Sequence, residues 1–307
     1  MSFSVLIPIG GGSSEIDRLR DLLDSLFHYE PHVSEIVIVD DIMPARKFSE
    51  LNLAPGCRLV VLPNPRRGTG NGWLGGLAAA VIEGNNWLEK NSRCDFVLKL
   101  DTDALVIAPF AAKVIAAFAA KPRAFLLGSS TKTPNRIYDL PEDFPTAPAL
   151  VKLQRPLTVW RRTYRPWPRL QCILFRRDRQ RRALIQAAVR NGYRLGLHCQ
   201  GGAYALSRHG LTQIKASGAL ADPMLWIWTP CGEDIAMTMS AYACGGTAGD
   251  LNGDGEPFGT LSHGLPDTPA RLVERGFSII HSVKDFEDSK EKETREFFRQ
   301  RRLSSPH

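Results

Sequence analysis

The chain has 307 residues, of which 43% are hydrophobic and 23% are charged, and this balance supports a sizeable core and excludes wholesale disorder. Its net charge of +7 suits an anionic partner such as a phosphate, a nucleic acid, an acidic glycan or a lipid headgroup, without choosing among them. Residues 104–128 form the longest apolar region, but two prolines and three basic residues interrupt it, so the sequence predicts no transmembrane helix.

The N-terminal segment lacks the basic start and the small-residue cleavage site of a signal peptide, so we expect a cytoplasmic protein. The six cysteines are scattered, and none falls in a Cys-x-x-Cys pair. In a chain of this length, that pattern is typical of free thiols in a reducing compartment and not of a disulfide framework or a zinc site.

Short apolar runs alternate with longer amphipathic segments in the first part of the chain. The apolar runs predict strands, and the amphipathic segments predict helices. The strands span residues 3–9, 35–39, 58–62 and 95–100, and the helices span residues 16–27 and 72–88. Because strands that alternate with helices form parallel sheets, we predict an α/β fold with a mostly parallel sheet and helices on both faces.

The composition changes over residues 131–182, which are rich in proline early and in arginine and tryptophan late. We predict a long irregular insertion there, with a basic helix over residues 176–191. The elements predicted after it are strands over residues 202–206 and 277–281, helices over residues 208–217, 233–243 and 289–302, and a glycine-rich loop over residues 245–264. No segment has the composition of a linker, so we expect a single domain over residues 1–307.

Polar and glycine-rich residues follow each of the four strands predicted in the first part. They are Gly10-Gly11-Gly12, Asp40-Asp41, residues 64–68 and Asp101-Thr102-Asp103. Such residues are common in turns for conformational reasons alone. The carboxyl ends of parallel strands are also where α/β proteins bind ligands, and four such groups at one edge favour a nucleotide site.

Two carboxylates, Asp101 and Asp103, stand two positions apart directly after a buried strand. When the backbone turns there, both can converge on one divalent cation with oxygen ligands. Such an ion can also take two oxygens of a diphosphate and neutralise charge on a leaving group. An isolated Asp-x-Asp is commonly a solvated turn, but the position at a strand end favours a site for Mn²⁺ or Mg²⁺.

A second acidic pair, Glu233 and Asp234, follows Gly232 at the start of a predicted helix. Acidic residues are electrostatically favourable at a helix N-terminus, which accounts for the pair without any function. The same position could aim a carboxylate base into a site. Spacing alone favours the first interpretation.

Residues 64–72, with the sequence NPRRGTGNG, precede another predicted helix. The glycines allow close approach of the backbone, and Arg66 and Arg67 could meet a phosphate. The segment lacks the lysine and the spacing of a P-loop, and the glycines at residues 10–12 do not complete a dinucleotide-binding fingerprint.

The order of these motifs resembles the GT-A fold of glycosyltransferases, a Rossmann-like fold, and especially the large inverting family that includes the cellulose, chitin and hyaluronan synthase domains. The matching pieces are S-V-L-I-P-I-G, E-I-V-I-V-D-D, N-P-R-R-G-T-G-N-G, F-V-L-K-L-D-T-D, Q-G-G-A-Y-A-L-S-R and G-E-D-I-A-M-T. They cover roughly residues 3–130 and 195–245. Each piece is short, and their order and relative spacing carry the resemblance.

The resemblance implies a nucleotide-diphosphate sugar as donor, with a UDP-sugar favoured. Residues 1–130 would form the donor-binding half, residues 131–190 a basic insertion, and residues 191–307 the acceptor-binding half with a C-terminal helix. The expected binding residues are Pro8, Ile9 and Gly10 at the base, Asp40 or Asp41 at the nucleoside, Asn64 and Arg67 near phosphate, Asp101 at the donor sugar or ribose, and Gly201 and Gly202 near the sugars.

The resemblance also implies the catalytic and metal-binding residues. Asp103 would bind Mn²⁺ or Mg²⁺ with Asp101, and a C-terminal histidine would complete the metal shell. That histidine would be His281, with His263 as the second choice. Asp234 would be the catalytic base, supported by Glu233. The implied activity is a hexosyltransferase-like, inverting transfer of a sugar to an acceptor hydroxyl.

Arginines and tryptophans are concentrated in residues 155–182. Aromatic faces stack on sugar rings, and arginine forks bind carboxylate or phosphate, so we expect this segment to contact a sugar, lipid or protein acceptor. The composition also fits peripheral contact with an anionic membrane surface, or a solvated face whose arginines lie along apolar surface. Nucleic acid is disfavoured as a partner.

Two other functions fit part of the sequence. A sugar nucleotidyltransferase also uses an α/β sheet, carboxylates and Mg²⁺, but it would carry a basic residue in the glycine-rich loop after the first strand, and the nearest here is Arg18. A non-catalytic nucleic-acid or glycan-binding protein would use the segment over residues 155–182. That reading leaves the two acidic motifs unexplained.

Overall fold

The computed structural model describes residues 2–70, 72–130, 176–194, 197–229, 231–261, 263–287 and 289–304. Of the predicted insertion over residues 131–190, the helical end falls within these ranges and the rest lies outside them. Most of the arginine- and tryptophan-rich segment over residues 155–182 therefore also lies outside the described residues.

Ten strands form two sheets in the described ranges. They are β1 (Phe3–Ile9), β2 (Val33–Asp40), β3 (Arg58–Pro63), β4 (Phe96–Leu100), β5 (Leu105–Val106), β6 (Ala124–Gly128), β7 (Ala203–Ser207), β8 (Thr247–Asp250), β9 (Phe258–Thr260) and β10 (Ile279–His281). The larger sheet has the order β3-β2-β1-β4-β7-β6-β8, and the smaller has the order β5-β10-β9. In the larger sheet, β7 is antiparallel to both neighbours and the other pairs are parallel.

Helices cover both faces of the larger sheet. The described helices are α1 (Glu15–Tyr29), α2 (Gly75–Asn91), α3 (Ala111–Ala120), α4 (Arg176–Arg190), α5 (Arg208–Ala216), α6 (Glu233–Ala243), α7 (Pro269–Glu274) and α8 (Glu291–Ser304), with a 3₁₀ turn at Pro223–Trp226. Successive side chains of a strand point to opposite faces. Val5 and Ile7 of β1 therefore share a core with α1 and α3, and Leu6 shares one with α2 and α6. The predicted α/β, Rossmann-like architecture is confirmed.

Four short strands differ from the prediction. Strands β8 and β9 lie within residues 245–264, where the sequence predicts a glycine-rich loop. They have four and three residues and each contains a glycine, so they show no alternation of apolar and polar residues in the sequence. They are extended because β8 pairs with β6 and β9 pairs with β10. Strands β5 and β6 were not predicted, because the apolar character of the chain continues between them through α3.

Buried charges attach the C-terminal helix α8 to α1. Asp21 of α1 is 6% exposed, and its two carboxylate oxygens accept hydrogen bonds from Arg295 and Arg302, at 2.8 Å each. Arg295 also lies 3.5 Å from the carbonyl oxygen of Thr102 and donates to it. The helix is thereby connected to the turn that follows β4.

No helix in the described ranges is both long and apolar enough to cross a membrane. The five cysteines within those ranges are free thiols, in agreement with the sequence. Three of them, Cys94, Cys199 and Cys231, are buried.

The docking of α8 predicts a large effect of removing Asp21. Asp21→Ala would leave the buried guanidinium of Arg302 without its counter-charge and Arg295 with Glu291 as its remaining carboxylate partner, so the free energy of unfolding should fall by about 3–5 kcal/mol. Asp17→Ala is the matched control on the same helix, because Asp17 is 81% exposed in its pair with Arg20 and should change stability by less than about 1 kcal/mol. Urea denaturation measures both, and equal effects would contradict the prediction.

Candidate active site

The carboxyl ends of β1 to β4 lie at one edge of the larger sheet, because these four strands are parallel. The antiparallel β7 begins at this edge, so Gly201 and Gly202, which precede it, lie there too. The main-chain amide of Asp101 donates a hydrogen bond to the carbonyl of Gly202, at 3.0 Å. The turn after β4 is therefore joined to the chain before β7 where the sequence predicts a ligand.

Three predicted metal ligands, Asp101, Asp103 and His281, come together at this edge. Each offers one ligand atom, and these atoms all lie within 4.8 Å of one another. His281 Nε2 lies 3.2 Å from Asp103 Oδ1 and 3.6 Å from Asp101 Oδ2. The other ring nitrogen, Nδ1, lies 2.8 Å from the carbonyl oxygen of Leu261. A carbonyl can only accept, so Nδ1 carries the hydrogen and Nε2 is the nitrogen directed at the carboxylates.

The chemistry of this group fits one divalent cation. Carboxylate oxygens suit Mg²⁺ and Mn²⁺, and an imidazole nitrogen suits transition metals, so a mixed set favours Mn²⁺ over Mg²⁺. A hydrogen bond from the second ring nitrogen to a carbonyl is the usual way in which a ligating histidine is oriented. The three residues could therefore hold an ion without rearrangement of His281.

The electrostatics of the group favour the charged forms of Asp103 and His281 and oppose the charged form of Asp101. Burial acts to raise the pKa of Asp103, but His281 and Lys284 outweigh it and hold that pKa well below its usual range. Burial acts to lower the pKa of His281, but Asp103 and Asp101 outweigh it and raise that pKa. Burial raises the pKa of Asp101 to about 6, with Lys99 opposing the rise. Positive side chains thus balance this acidic edge.

A buried lysine connects the two acidic motifs. Lys99 is 1% exposed, and its ammonium lies 2.6 Å from Asp101 Oδ1 and 3.0 Å from Glu233 Oε1. It also donates to the carbonyl of Gly201. Burial opposes the charged form, but the two carboxylates outweigh burial and raise the pKa of Lys99 above its usual value. The end of β4 and the start of α6 are therefore held together by one positive charge.

The two carboxylates at the start of α6 have different surroundings. Glu233 is buried and paired with Lys99, whereas the side chain of Asp234 is 19% exposed. Asp234 Oδ1 accepts a hydrogen bond from the amide of Ile235, at 2.7 Å, and its Oδ2 lies 3.5 Å from His198 Nε2. Burial, followed by the charge of Glu233, raises the pKa of Asp234 to about 7.

The Gly201-Gly202 pair has a steric role at this edge. A Cβ on Gly202 would overlap the ring of His281, and a Cβ on Gly201 would overlap the carboxylate of Glu233. The two glycines therefore allow the histidine and the glutamate to reach their positions against the backbone. The expectation that the pair also lies near the sugars stays a prediction.

The predicted nucleoside contacts, Asp40 and Asp41, are both paired with arginines. Asp40 is fully buried and accepts hydrogen bonds from Arg46, including one from Nη2 at 2.7 Å. Arg46 holds the pKa of Asp40 below its usual value, although burial opposes this. Asp41 pairs with Arg66 and accepts from the side-chain amide of Asn64, at 2.9 Å. These carboxylates thus form part of the packed edge.

The remaining predicted residues differ in their exposure. Pro8 and Ile9 are buried within β1, while Gly10 is exposed. Arg67 is exposed and has a left-handed backbone, with φ of 47°. His263 is exposed and stacks on Phe286 with ring centroids 6.0 Å apart, so it is His281 that lies with the aspartates.

The positions of Lys99, His198 and Lys284 at the site were not predicted from the sequence. Lys99 interrupts an apolar strand, and a charge at such a position needs a buried partner, so that signal was available. Lys284 follows His281 by three positions, and its ammonium lies 2.9 Å from Asp103 Oδ2. His198 lies beside Asp234 only in the folded chain, so no local pattern identifies it.

The fold and this site define a Rossmann-like α/β protein with an acidic, histidine-containing cluster that could bind a metal ion. No protein-family model matches the chain, and a comparison with curated proteins finds no match. The glycosyltransferase resemblance accordingly stays a prediction.

The close packing at Gly202 predicts that Gly202→Ala is destabilising. The added methyl group would displace the His281 ring, and overpacking of this kind costs about 1–3 kcal/mol. Gly10→Ala is the control, because a Cβ there meets no atom within 4 Å and a change of less than about 0.5 kcal/mol is expected. Chemical denaturation of the two variants in chelator measures the difference. A Gly202→Ala variant as stable as the control would show that His281 is not held against this glycine.

Proposed function

We propose that this chain is a metal-dependent glycosyltransferase that moves a sugar from a nucleotide-diphosphate sugar to an acceptor hydroxyl, with inversion at the anomeric carbon. The observation that carries the proposal is the joining of two acidic groups at one sheet edge. Asp101, Asp103 and His281 form the first group, and Lys99 connects it to the second, Glu233 and Asp234.

Asp101, Asp103 and His281 would hold Mn²⁺ or, less favourably, Mg²⁺. The ion supplies Lewis-acid neutralisation of the diphosphate that leaves the sugar. The role of the protein is to present its ligands in one orientation. Leu261 orients the ring of His281, and Lys99 holds Oδ1 of Asp101, so both ligands are positioned before the donor binds.

Asp234 is the favoured base. An acceptor hydroxyl must lose its proton as it bonds to the anomeric carbon, and a base works best when its pKa lies near the working pH. Asp234 has a pKa of about 7 and a partly exposed carboxylate. Glu233 is buried and paired with Lys99, so its role would be to support its neighbour.

The donor half has main-chain groups and arginines at the sheet edge, and a UDP-sugar is the donor to test first. The acceptor is a sugar, lipid or protein hydroxyl.

The nucleotidyltransferase alternative has less support, because Arg18, the nearest basic residue after the glycine-rich loop, is paired with Glu15 and Glu291.

The metal site predicts that nucleotide binding depends on the cation. By calorimetry, UDP should bind about tenfold or more tightly with Mn²⁺ than with chelator, a gain of about 1.4 kcal/mol or more. Asp103→Ala should remove most of that gain, and the exposed Asp17→Ala should retain it. Equal affinity of the wild-type protein with metal and with chelator would refute the metal-dependent mechanism.

Asp234→Asn tests the base, because it keeps the shape and removes the basicity. Donor and metal binding should persist while transfer falls by about 10²–10⁴-fold. A base must be deprotonated to act, so wild-type kcat/KM should fall as the pH drops below about 7. The Asn variant should not show this decrease in kcat/KM at acidic pH.

The control for this test is Asp254→Asn, since Asp254 is 72% exposed and its loss should leave transfer unchanged. NMR of the product should show inverted anomeric configuration. A near-normal rate in Asp234→Asn, or retained configuration, would show that Asp234 is not the base and only stabilises the N-terminus of α6.

A further inference from the structure

Lys284 occupies a position at the cluster that the proposed mechanism leaves without a role. Its ammonium lies 2.9 Å from Asp103 Oδ2, and its side chain is 36% exposed. It therefore touches a predicted metal ligand and also reaches the solvent side of the site. We propose that Lys284 is a direct ligand of the donor's diphosphate, beside the metal ion, an inference that rests on the proposed function.

The backbone around Lys284 is built to bring it to Asp103. Ser282 adopts a left-handed conformation, with φ of 70°, which is uncommon for a residue other than glycine. After this turn, the amide of Val283 donates to the main-chain oxygen of Asp103, at 2.9 Å. The segment from His281 to Lys284 thus contacts Asp103 at both carboxylate oxygens and at its main chain.

His281 and Lys284 contact different carboxylate oxygens of Asp103. His281 Nε2 faces Oδ1 and the ammonium of Lys284 faces Oδ2. A metal ion that takes Oδ1 and His281 therefore does not need the oxygen that Lys284 holds. An ammonium has three donors, so two remain for a phosphate when one stays on Oδ2.

The charge balance points to the same ligand. A divalent cation offsets Asp101 and Asp103, and Lys99 is offset by Glu233. With Asp103 offset by the ion, the ammonium of Lys284 that faces Asp103 can meet an incoming diphosphate. Its ammonium also lies 5.8 Å from the ring centroid of Trp73, and a cation–π interaction at this distance stabilises its position.

The test compares four proteins by titration calorimetry: wild type, Lys284→Met, Lys284→Arg and Lys292→Met. Lys292 is exposed on α8 and controls for the loss of one positive charge. Each protein is titrated with Mn²⁺ alone, and then with UDP and with inorganic pyrophosphate, both in saturating Mn²⁺ and in chelator. Thermal melting in chelator shows that each variant is folded.

In Lys284→Met, affinity for UDP and pyrophosphate should fall by about 10- to 100-fold, the usual value of a hydrogen bond to a charged group. Its affinity for Mn²⁺ alone should stay within about threefold of wild type or rise, because a competing cation has been removed from Asp103. Lys284→Arg should recover most of the lost affinity, and Lys292→Met should match wild type.

The outcomes separate this inference from the proposed function. If wild type binds Mn²⁺ and UDP but Lys284→Met binds UDP equally well, Lys284 is only a counter-charge for Asp103 and the inference falls alone. If UDP binding is the same with Mn²⁺ and with chelator but is lost in Lys284→Met, the phosphate role stands and metal dependence falls. If wild type binds neither UDP nor pyrophosphate, both proposals are overturned.

Discussion

The buried ammonium of Lys99 is the interaction on which the arrangement of this site depends. A charge removed from water needs close, well-oriented partners, and removing one partner costs far more than the pair contributes. Lys99 meets that requirement with two carboxylates and a carbonyl that come from three separate segments, at Asp101, Glu233 and Gly201. The strand end, the helix start and the glycine pair must therefore assemble together.

The same constraint explains why small residues line the edge. With Glu233 held against Lys99, a Cβ on Gly201 would overlap the Glu233 carboxylate, and with His281 directed at Asp103, a Cβ on Gly202 would overlap the His281 ring. Gly232 has a similar role at the start of α6, where a Cβ would lie 2.8 Å from Asp234 Oδ1. The acidic residues can face the site because these glycines have no side chains that would displace them.

Local patterns in the sequence predicted the elements that carry most of the core. The four parallel strands β1 to β4 are apolar runs with turn residues at their ends, and α1 has apolar residues at helical spacing, so periodicity identifies them. Strands β8 and β9 are too short for a period and exist because partner strands pair with them. The Asp101, Asp103 and His281 group was predicted from motif order, and the structure brings those residues together. The pairing of Asp40 with Arg46, and the approach of His198 to Asp234, depend on the path of loops that no pattern encodes.

The docking of α8 on α1 has a consequence for the way the protein is made. Asp21 and Arg295 are separated by 274 positions, and domains emerge from the ribosome N-terminus first, at about 5–20 residues per second. A nascent chain that has exposed β1 to β4 carries Asp21 and Lys99 without Arg295 or Glu233, and the outer edge of β4 has not yet met β7. Synthesis therefore passes through a stage in which one half of the sheet has an open strand edge and uncompensated charges. Chaperone binding to ribosome-bound nascent chains should be concentrated in that interval.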